Sequence, residues 1–566
     1  MPIRRSPASI LTHENVSRTL NELATAHTIE RIWTRDHTLW HPDPTEIDNR
    51  LGWLTVLDQM RDGLTELRAF AQAAREAHTS DVVLLGMGGS SLGPEVLRCT
   101  FGSARGYPRL WVLDSTVPGW VRAVTSTIQP ARTLFLVASK SGGTVEVMSL
   151  FAHFWELVQR TKGNRGGAQF VAITDPGTGL EALAQHKGFW RTFTNPPDIG
   201  GRYSVLSYFG LVPAALLGMD VGKLLARADA MREACRRRTA PAQDNPGAAL
   251  GAVMGAMAKA GRDKVTLLTS PALTSFGLWV EQLLAESTGK QGTGLIPVAG
   301  EPIAPHGAYG HDRLFLYVRL KGDRNGSLDQ ATARLQAAGH PVLRLDMSDR
   351  YDLGGEFFRW EFATAVAGHI LGIQPFDQPN VQESKNNTAQ VLQQAENNGA
   401  LPSIPASPPK AALAQLLQQA GGNRYLALLA YTTPSAQVEA ALRALRKVLV
   451  TRYRIATTAG YGPRYLHSTG QLHKGGPNSG LFLELVDRMK PDLPVPGQPF
   501  TFGTLAQAQA IGDLQSLHAH QRSALRVALG PKPADTIRAL SASLTLQRGT
   551  SRPAKKRTAS RSRRRH

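Results

Sequence analysis

The apolar positions change period along this chain of 566 residues. Over residues 1–78 they recur at helical spacing, in VSRTLNELATAHTIERIW and again in IDNRLGWLTVLDQMRDGLTELRAFAQAAREA, with the breaker-rich HPDPTE between them. From residue 79 the pattern becomes short apolar runs, VVLLGM, RLWVLD, LFLVAS and QFVAIT, each followed by a turn and a helical segment. Continuous runs of that length suit strands buried on both faces, and their alternation with helices predicts a parallel sheet covered on both sides. A second alternating block opens at KVTLLTS, passes through RLFLYVRL and PVLRLDM, and resumes at RYLALLAY after the Pro-rich crossing LPSIPASPPK. The expected fold class is α/β. It comprises an N-terminal helical segment 1–78, a first lobe 79–245 and a second lobe 246–545 whose strands come from widely separated segments. The stretch PGQPFTFGTLAQAQAIGDLQSLHAHQRSALRVALG adds a helix and an edge strand to the second lobe.

Two strand ends carry candidate chemistry. In LFLVASKSGGTVE (134–146) a buried strand runs into Ser139, Lys140, Ser141 and Thr144 around two glycines, and a helix follows. Glycines let the backbone approach a ligand, and a helix start supplies unpaired N–H groups and a positive dipole end. Such a turn suits a phosphate ester. DVVLLGMGGSSLGPE (81–95) repeats the design with Ser90 and Ser91 at its turn. It is not a dinucleotide fingerprint, because from Gly86 the sixth position is Ser91, and Asp114 is a poor ribose-binding acid. Nor does it end in the Gly-Lys-Ser/Thr of a P-loop. Paired hydroxyl-bearing turns favour a small phosphorylated ligand over a nucleotide.

Composition narrows the setting. Cys99 and Cys235 are the only cysteines, too few for a disulfide framework and in keeping with a reducing compartment, so a cytoplasmic location is expected. MPIRRSPASILTHENV has no continuous apolar core for a signal peptide, and no run reaches membrane-span length. The formal charge of +20 is uneven, since nine Lys or Arg and no Asp or Glu lie between residues 548 and 566. Residues 546–566 therefore read as a disordered basic tail. Such a tail can touch nucleic acid or another polyanion, but a solvated extension is the better reading of its composition.

Three further segments join the two turns. GGRYS places Gly201 beside the rigid guanidinium of Arg202, suited to an oxyanion. Gln282 and Glu286 share one helix face, and a half-buried Glu286 at the end of a mostly apolar helix would have the raised pKa of a general base. DQPNVQESK brings Gln378 and Lys385 to a loop and the helix start after it, and His467-Ser-Thr-Gly-Gln471 precedes the strand LFLELV. The histidines show no Cys/His pairing. His518-Ala-His520 is a weak metal signal, so no metal and no cofactor are expected.

Over residues 30–530 this set resembles the glucose-6-phosphate isomerase family, whose lobes are sugar-isomerase (SIS) domains. The resemblance rests on GMGGSSLGP, SKSGGTVE, GGRYS, the Glu286 segment ESTGK and QPFDQPNVQESK. It is nearest to the isomerase half of bacterial transaldolase–isomerase fusions, read here as a stand-alone isomerase. The resemblance implies two SIS-type lobes, a sugar-phosphate substrate, a homodimer and aldose–ketose isomerisation of glucose 6-phosphate and fructose 6-phosphate. It also implies phosphate contacts from Ser90, Ser139, Ser141 and Thr144 with Lys140 beside them, and Glu286 as the base. Gly201 and Arg202 would stabilise the enediolate, Gln282 and Gln378 would hold the sugar, and Lys385 would assist ring opening. The ring-opening histidine of the family precedes that lysine in the chain, where His306 stands in PHGAYGH. HSTGQ matches the family segment better, so His467 is preferred, as though the second lobe were permuted. A non-catalytic sugar-phosphate regulator and an isomerase also accepting mannose 6-phosphate are the alternatives.

Overall fold

The computed structural model describes residues 10–237 and 242–546 and contains three sheets, all parallel. The basic tail, from residue 547 on, lies outside the described residues. β1 (Asp81–Gly86), β2 (Arg109–Leu113), β3 (Thr133–Ala138), β4 (Phe170–Thr174) and β5 (Arg191–Thr194) form the first sheet in the order β2-β1-β3-β4-β5. β1 and β3 are buried at every position, which is why their sequences are unbroken apolar runs. The order in which strands are added reverses between them, which leaves a crevice at their carboxyl ends, and both hydroxyl-bearing turns sit there.

The stretch 246–545 carries two sheets of four strands. β6 (Lys264–Thr269), β7 (Ile296–Val298), β8 (Arg313–Leu320) and β9 (Val342–Met347) run β7-β6-β8-β9. β10 (Tyr425–Tyr431), β11 (Ala456–Tyr461), β12 (Gly480–Asp487) and β13 (Ser523–Gly530) run β11-β10-β12-β13, with β13 at the expected edge. The edges β7 and β11 face each other, and polar side chains join them. Glu301, just past β7, accepts from the Thr457 backbone N–H (2.7 Å) and hydroxyl (2.9 Å), while Arg446 donates to the Ala299 carbonyl (2.8 Å). β5, β7 and β11 escape a reading of apolar runs. They are edge strands, either too short to form a run or built from small and hydroxyl residues, so no apolar run marks them.

The N-terminal residues are helical as their period predicts. The first periodic stretch divides into Glu14–Thr25 and Thr28–Trp33, because His27 takes a left-handed conformation (φ +51°) between them. Helices Val221–Arg236, Pro246–Lys259 and Leu353–Leu371 pack together in the largest apolar core, which also receives one face of the first and second sheets. Helix Pro379–Asn398 lies along helix Phe502–Ala519, which leads to β13.

Candidate active site

Four backbone segments meet at the carboxyl end of β1, and glycine makes the meeting sterically feasible. A Cβ on Gly88 (φ +54°) would lie 2.9 Å from both Gln282 Nε2 and the His467 carbonyl oxygen. A Cβ on Gly89 would lie only 1.9 Å from the Gly201 carbonyl oxygen. The motif GMGGSS thus brings the Glu286 helix, the Arg202 turn and the His467 turn together around Ser90, itself buried.

At the end of β3, Thr144 is the N-cap of helix Val145–Lys162 and its side chain makes no capping bond to the first N–H groups of that helix. Its hydroxyl instead lies 3.0 Å from that of Ser139. Ser141 is exposed on the same turn. Lys140 turns away, pairing with Asp175 and donating to the Pro197 carbonyl (2.9 Å).

Helix Phe276–Thr288 is buried at every position except Leu278, and Gln282 and Glu286 share the face toward this crevice. Gln282 Nε2 is 3.4 Å from Glu286 Oε2, and Arg202 Nη1 is 3.7 Å from the same oxygen. Burial pushes the Glu286 carboxyl up to about 7, against the opposing pull of Arg202, His467, Gln282 and Lys290. Gln282 Oε1 is buried with no hydrogen-bond partner among the described residues. The Arg202 guanidinium is anchored on all sides, donating to Ser287 Oγ (2.7 Å), Gln378 Oε1 (3.0 Å) and the carbonyls of Pro375 (2.7 Å) and Asp377 (3.0 Å). Lys290 stands behind it on Asp377, and burial together with Arg202 pulls its ammonium down to about 7. A separate cavity of about 550 Å³ lies behind the same helix, against Leu278 and Glu281, and is not lined by these groups.

His467 ends the short turn Arg464–His467, which Arg464 fastens to Asp114 through two 2.8 Å bonds. Its Nε2 lies 2.8 Å from Glu146 Oε1. Burial raises the Glu146 pKa, but the His467 ring, its own backbone N–H and Lys385 outweigh that and leave it below the ordinary value. An ionised carboxylate only accepts, so Nε2 carries the hydrogen and Nδ1 is left for other partners. Gln471 continues the stitching, donating to the Gly289 carbonyl (3.0 Å) and Asn380 Oδ1 (2.8 Å) while accepting from the Asn380 N–H (2.9 Å). Lys385 is exposed on helix Pro379–Asn398.

Glu286, Arg202, Gly201, Gln282, Gln378, Ser90 and His467 are therefore brought together from distant sequence positions, with Ser139 and Thr144 on the adjoining turn. His306 is not among them. It sits exposed on the turn before β8, its carbonyl 3.3 Å from His340 Nε2. Sequence reasoning passed over Glu146, whose place in the first helical turn after SKSGGT was its available signal, and Gln509, which carried none. His518 and His520 are occupied by the Ala524 carbonyl and Glu383. Among the described residues, no three His, Cys, Asp or Glu are placed to hold a metal ion, and no helix is long and apolar enough to cross a membrane.

Comparison with known proteins gives a consistent picture. Residues 8–296 match the model of the family described as phosphoglucose isomerase. A glucose-6-phosphate isomerase of Rubrobacter xylanophilus is 32% identical over 386 residues, covering 59% of this chain and 87% of the relative. That of Carboxydothermus hydrogenoformans is 28% identical over 397 residues, covering 60% and 85%. Among solved structures, a hypothetical protein of Thermus thermophilus superposes with a TM-score of 0.58 at 26% identity, over 68% of this chain and 97% of the other. A glucose-6-phosphate isomerase of Chlamydia trachomatis shares the fold, with a TM-score of 0.52 at 20% identity over 69% and 81%.

Proposed function

The chain belongs to the phosphoglucose isomerase family, and from that premise we propose that it interconverts glucose 6-phosphate and fructose 6-phosphate. The observation that carries the reading is the buried Glu286 carboxyl, its pKa raised to about 7, facing an anchored Arg202. Aldose–ketose exchange needs a base that takes a proton from C2 and returns it to C1, and a fixed cation for the enediolate oxygen between those steps. Glu286 is the base and Arg202, with the Gly201 backbone, the stabiliser.

In this reading the substrate phosphate lies on Ser139, Ser141, Thr144, Ser90 and the start of helix Val145–Lys162. Lys140, held by Asp175, adds charge at the rim. Binding energy from the phosphate, remote from the reacting carbons, positions C1 and C2 over Glu286. Gln282 Oε1 takes a sugar hydroxyl, which would satisfy an oxygen otherwise buried without a partner, and Gln378 borders the sugar while accepting from Arg202. His467, through Nδ1, and Lys385 exchange protons with the ring oxygen and the C1 hydroxyl as the ring opens. The site draws on both proposed lobes, 79–245 for the turns, Glu146 and Arg202, and 246–545 for the remainder. The reading extends to a homodimer, as the family resemblance implies, in the cytoplasm, as the cysteine content favours.

The test is conversion of fructose 6-phosphate to glucose 6-phosphate in a coupled assay, wild type beside Glu286→Gln. Turnover that falls by roughly 10²–10⁴-fold in the variant is the expected result. Sugar-phosphate binding without turnover in the wild type would instead return the non-catalytic regulator.

A further inference from the structure

His467 does not stand on Glu146 alone. Glu146 Oε1 also accepts from Gln509 Nε2 at 2.7 Å, and Gln509 Oε1 in turn accepts from the Thr116 hydroxyl at 2.7 Å. Thr116, Gln509 and Glu146 are all at most 4% exposed. Gln509 belongs to helix Phe502–Ala519, whose sequence is otherwise mostly apolar or small where it is buried. One turn further on, Asp513 accepts from Tyr465 Oη (2.7 Å) and pairs with Lys474 (2.6 Å), two residues that flank His467 in the chain. This helix therefore grips the His467 turn at both ends, lying outside the residues 8–296 that the family model matches.

Burying an amide in such a helix costs free energy unless both of its ends are bonded, and an apolar side chain would fill the space at lower cost. What an apolar side chain cannot do is orient a donor. Because the Thr116 hydroxyl occupies Oε1, Gln509 presents only N–H to Glu146. A donor aimed at a buried carboxyl favours its ionised form over the protonated one, and only the ionised form, a pure acceptor, keeps the hydrogen of His467 on Nε2; without that donor the carboxyl can take up a proton and donate to Nε2 instead. We infer that Gln509, aligned by Thr116, is a positioning residue that sets the tautomer of His467 through Glu146 and so keeps Nδ1 available to the sugar. This rests on the isomerase reading for its consequence in turnover, but not for the tautomer itself. The other charged groups facing this pair are Glu286 on its helix and Lys385 on helix Pro379–Asn398.

The experiment is ¹⁵N NMR of histidine-labelled protein, with the His467 signals assigned by their loss in His467→Asn, alongside steady-state kinetics. Wild type is expected to show the Nε2–H tautomer. In Gln509→Leu the Nδ1–H form should appear, with kcat falling on the order of tenfold and KM little changed. Should Gln509→Leu fail to fold, Thr116→Val tests the same relay by freeing the amide to rotate, and Thr116→Ser, which keeps the hydroxyl, should restore the wild-type tautomer. An unchanged His467 tautomer in the folded variants, whatever their activity, would overturn the inference. A tautomer that shifts as described in a protein without isomerase turnover would leave the relay standing and remove the isomerase reading instead.

Discussion

As the proposed base, Glu286 sets catalysis against stability. Its ordinary pKa is near 4.5, and burial lifts the folded-state value to about 7. A base acts only when deprotonated, so kcat/KM should fall as the pH drops through about 7, with the limb abolished in Glu286→Gln along with turnover. The same shift has a stability consequence of opposite sense. The folded state holds this proton more tightly than the unfolded chain, so the stabilising contribution is complete below about 4.5 and lost as pH rises through about 7. Glu286→Gln should therefore melt higher than wild type at pH 8, by up to about 3 kcal/mol, and gain much less at pH 5. Scanning calorimetry at the two pH values checks this, and equal melting shifts at both would refute it. Arg202 is as demanding a residue, because its planar fork meets Ser287, Gln378 and two carbonyls at once. An ammonium cannot reproduce that geometry.

The turn after β1 works by being thin. Gly89 presses on the Gly201 carbonyl at a distance where a Cβ has no room, and both neighbours are backbone. Gly89→Ala should push the Arg202 turn away from the Glu286 helix while leaving the sheets intact. A displacement of about 1 Å in reacting groups costs on the order of a hundredfold in rate. The expected outcome is that loss in kcat/KM with an unchanged far-ultraviolet circular dichroism spectrum. Near-wild-type activity would show that the close approach is not needed.

At the scale of the molecule, Glu286, Arg202, Glu146 and His467 converge within one chain. Mixing inactive Glu286→Gln with inactive His467→Asn under subunit exchange should therefore recover no activity. Recovery would mean that the histidine crosses a subunit boundary. The α/β class, the N-terminal helices, the glycine- and hydroxyl-bearing turns after β1 and β3, and the helical and turn settings of Glu286 and Arg202 were all legible in the chain. Burial on both faces forces unbroken apolar strands, and close backbone approach forces glycine, so these features are written locally. Edge strands β5, β7 and β11 were not legible, since β5 and β7 are only three or four residues long and β11 is built from small and hydroxyl residues, and neither was the division of 246–545 into two sheets that meet edge to edge. Tertiary structure also set His467 against Glu146 while leaving His306 exposed, turned Lys140 toward Asp175, and brought Gln509 to Glu146 across 363 positions of sequence. Local pattern records what each residue needs from its own element, whereas a hydrogen bond between distant elements leaves no mark in the sequence until the packing of helices and sheets has set the distance.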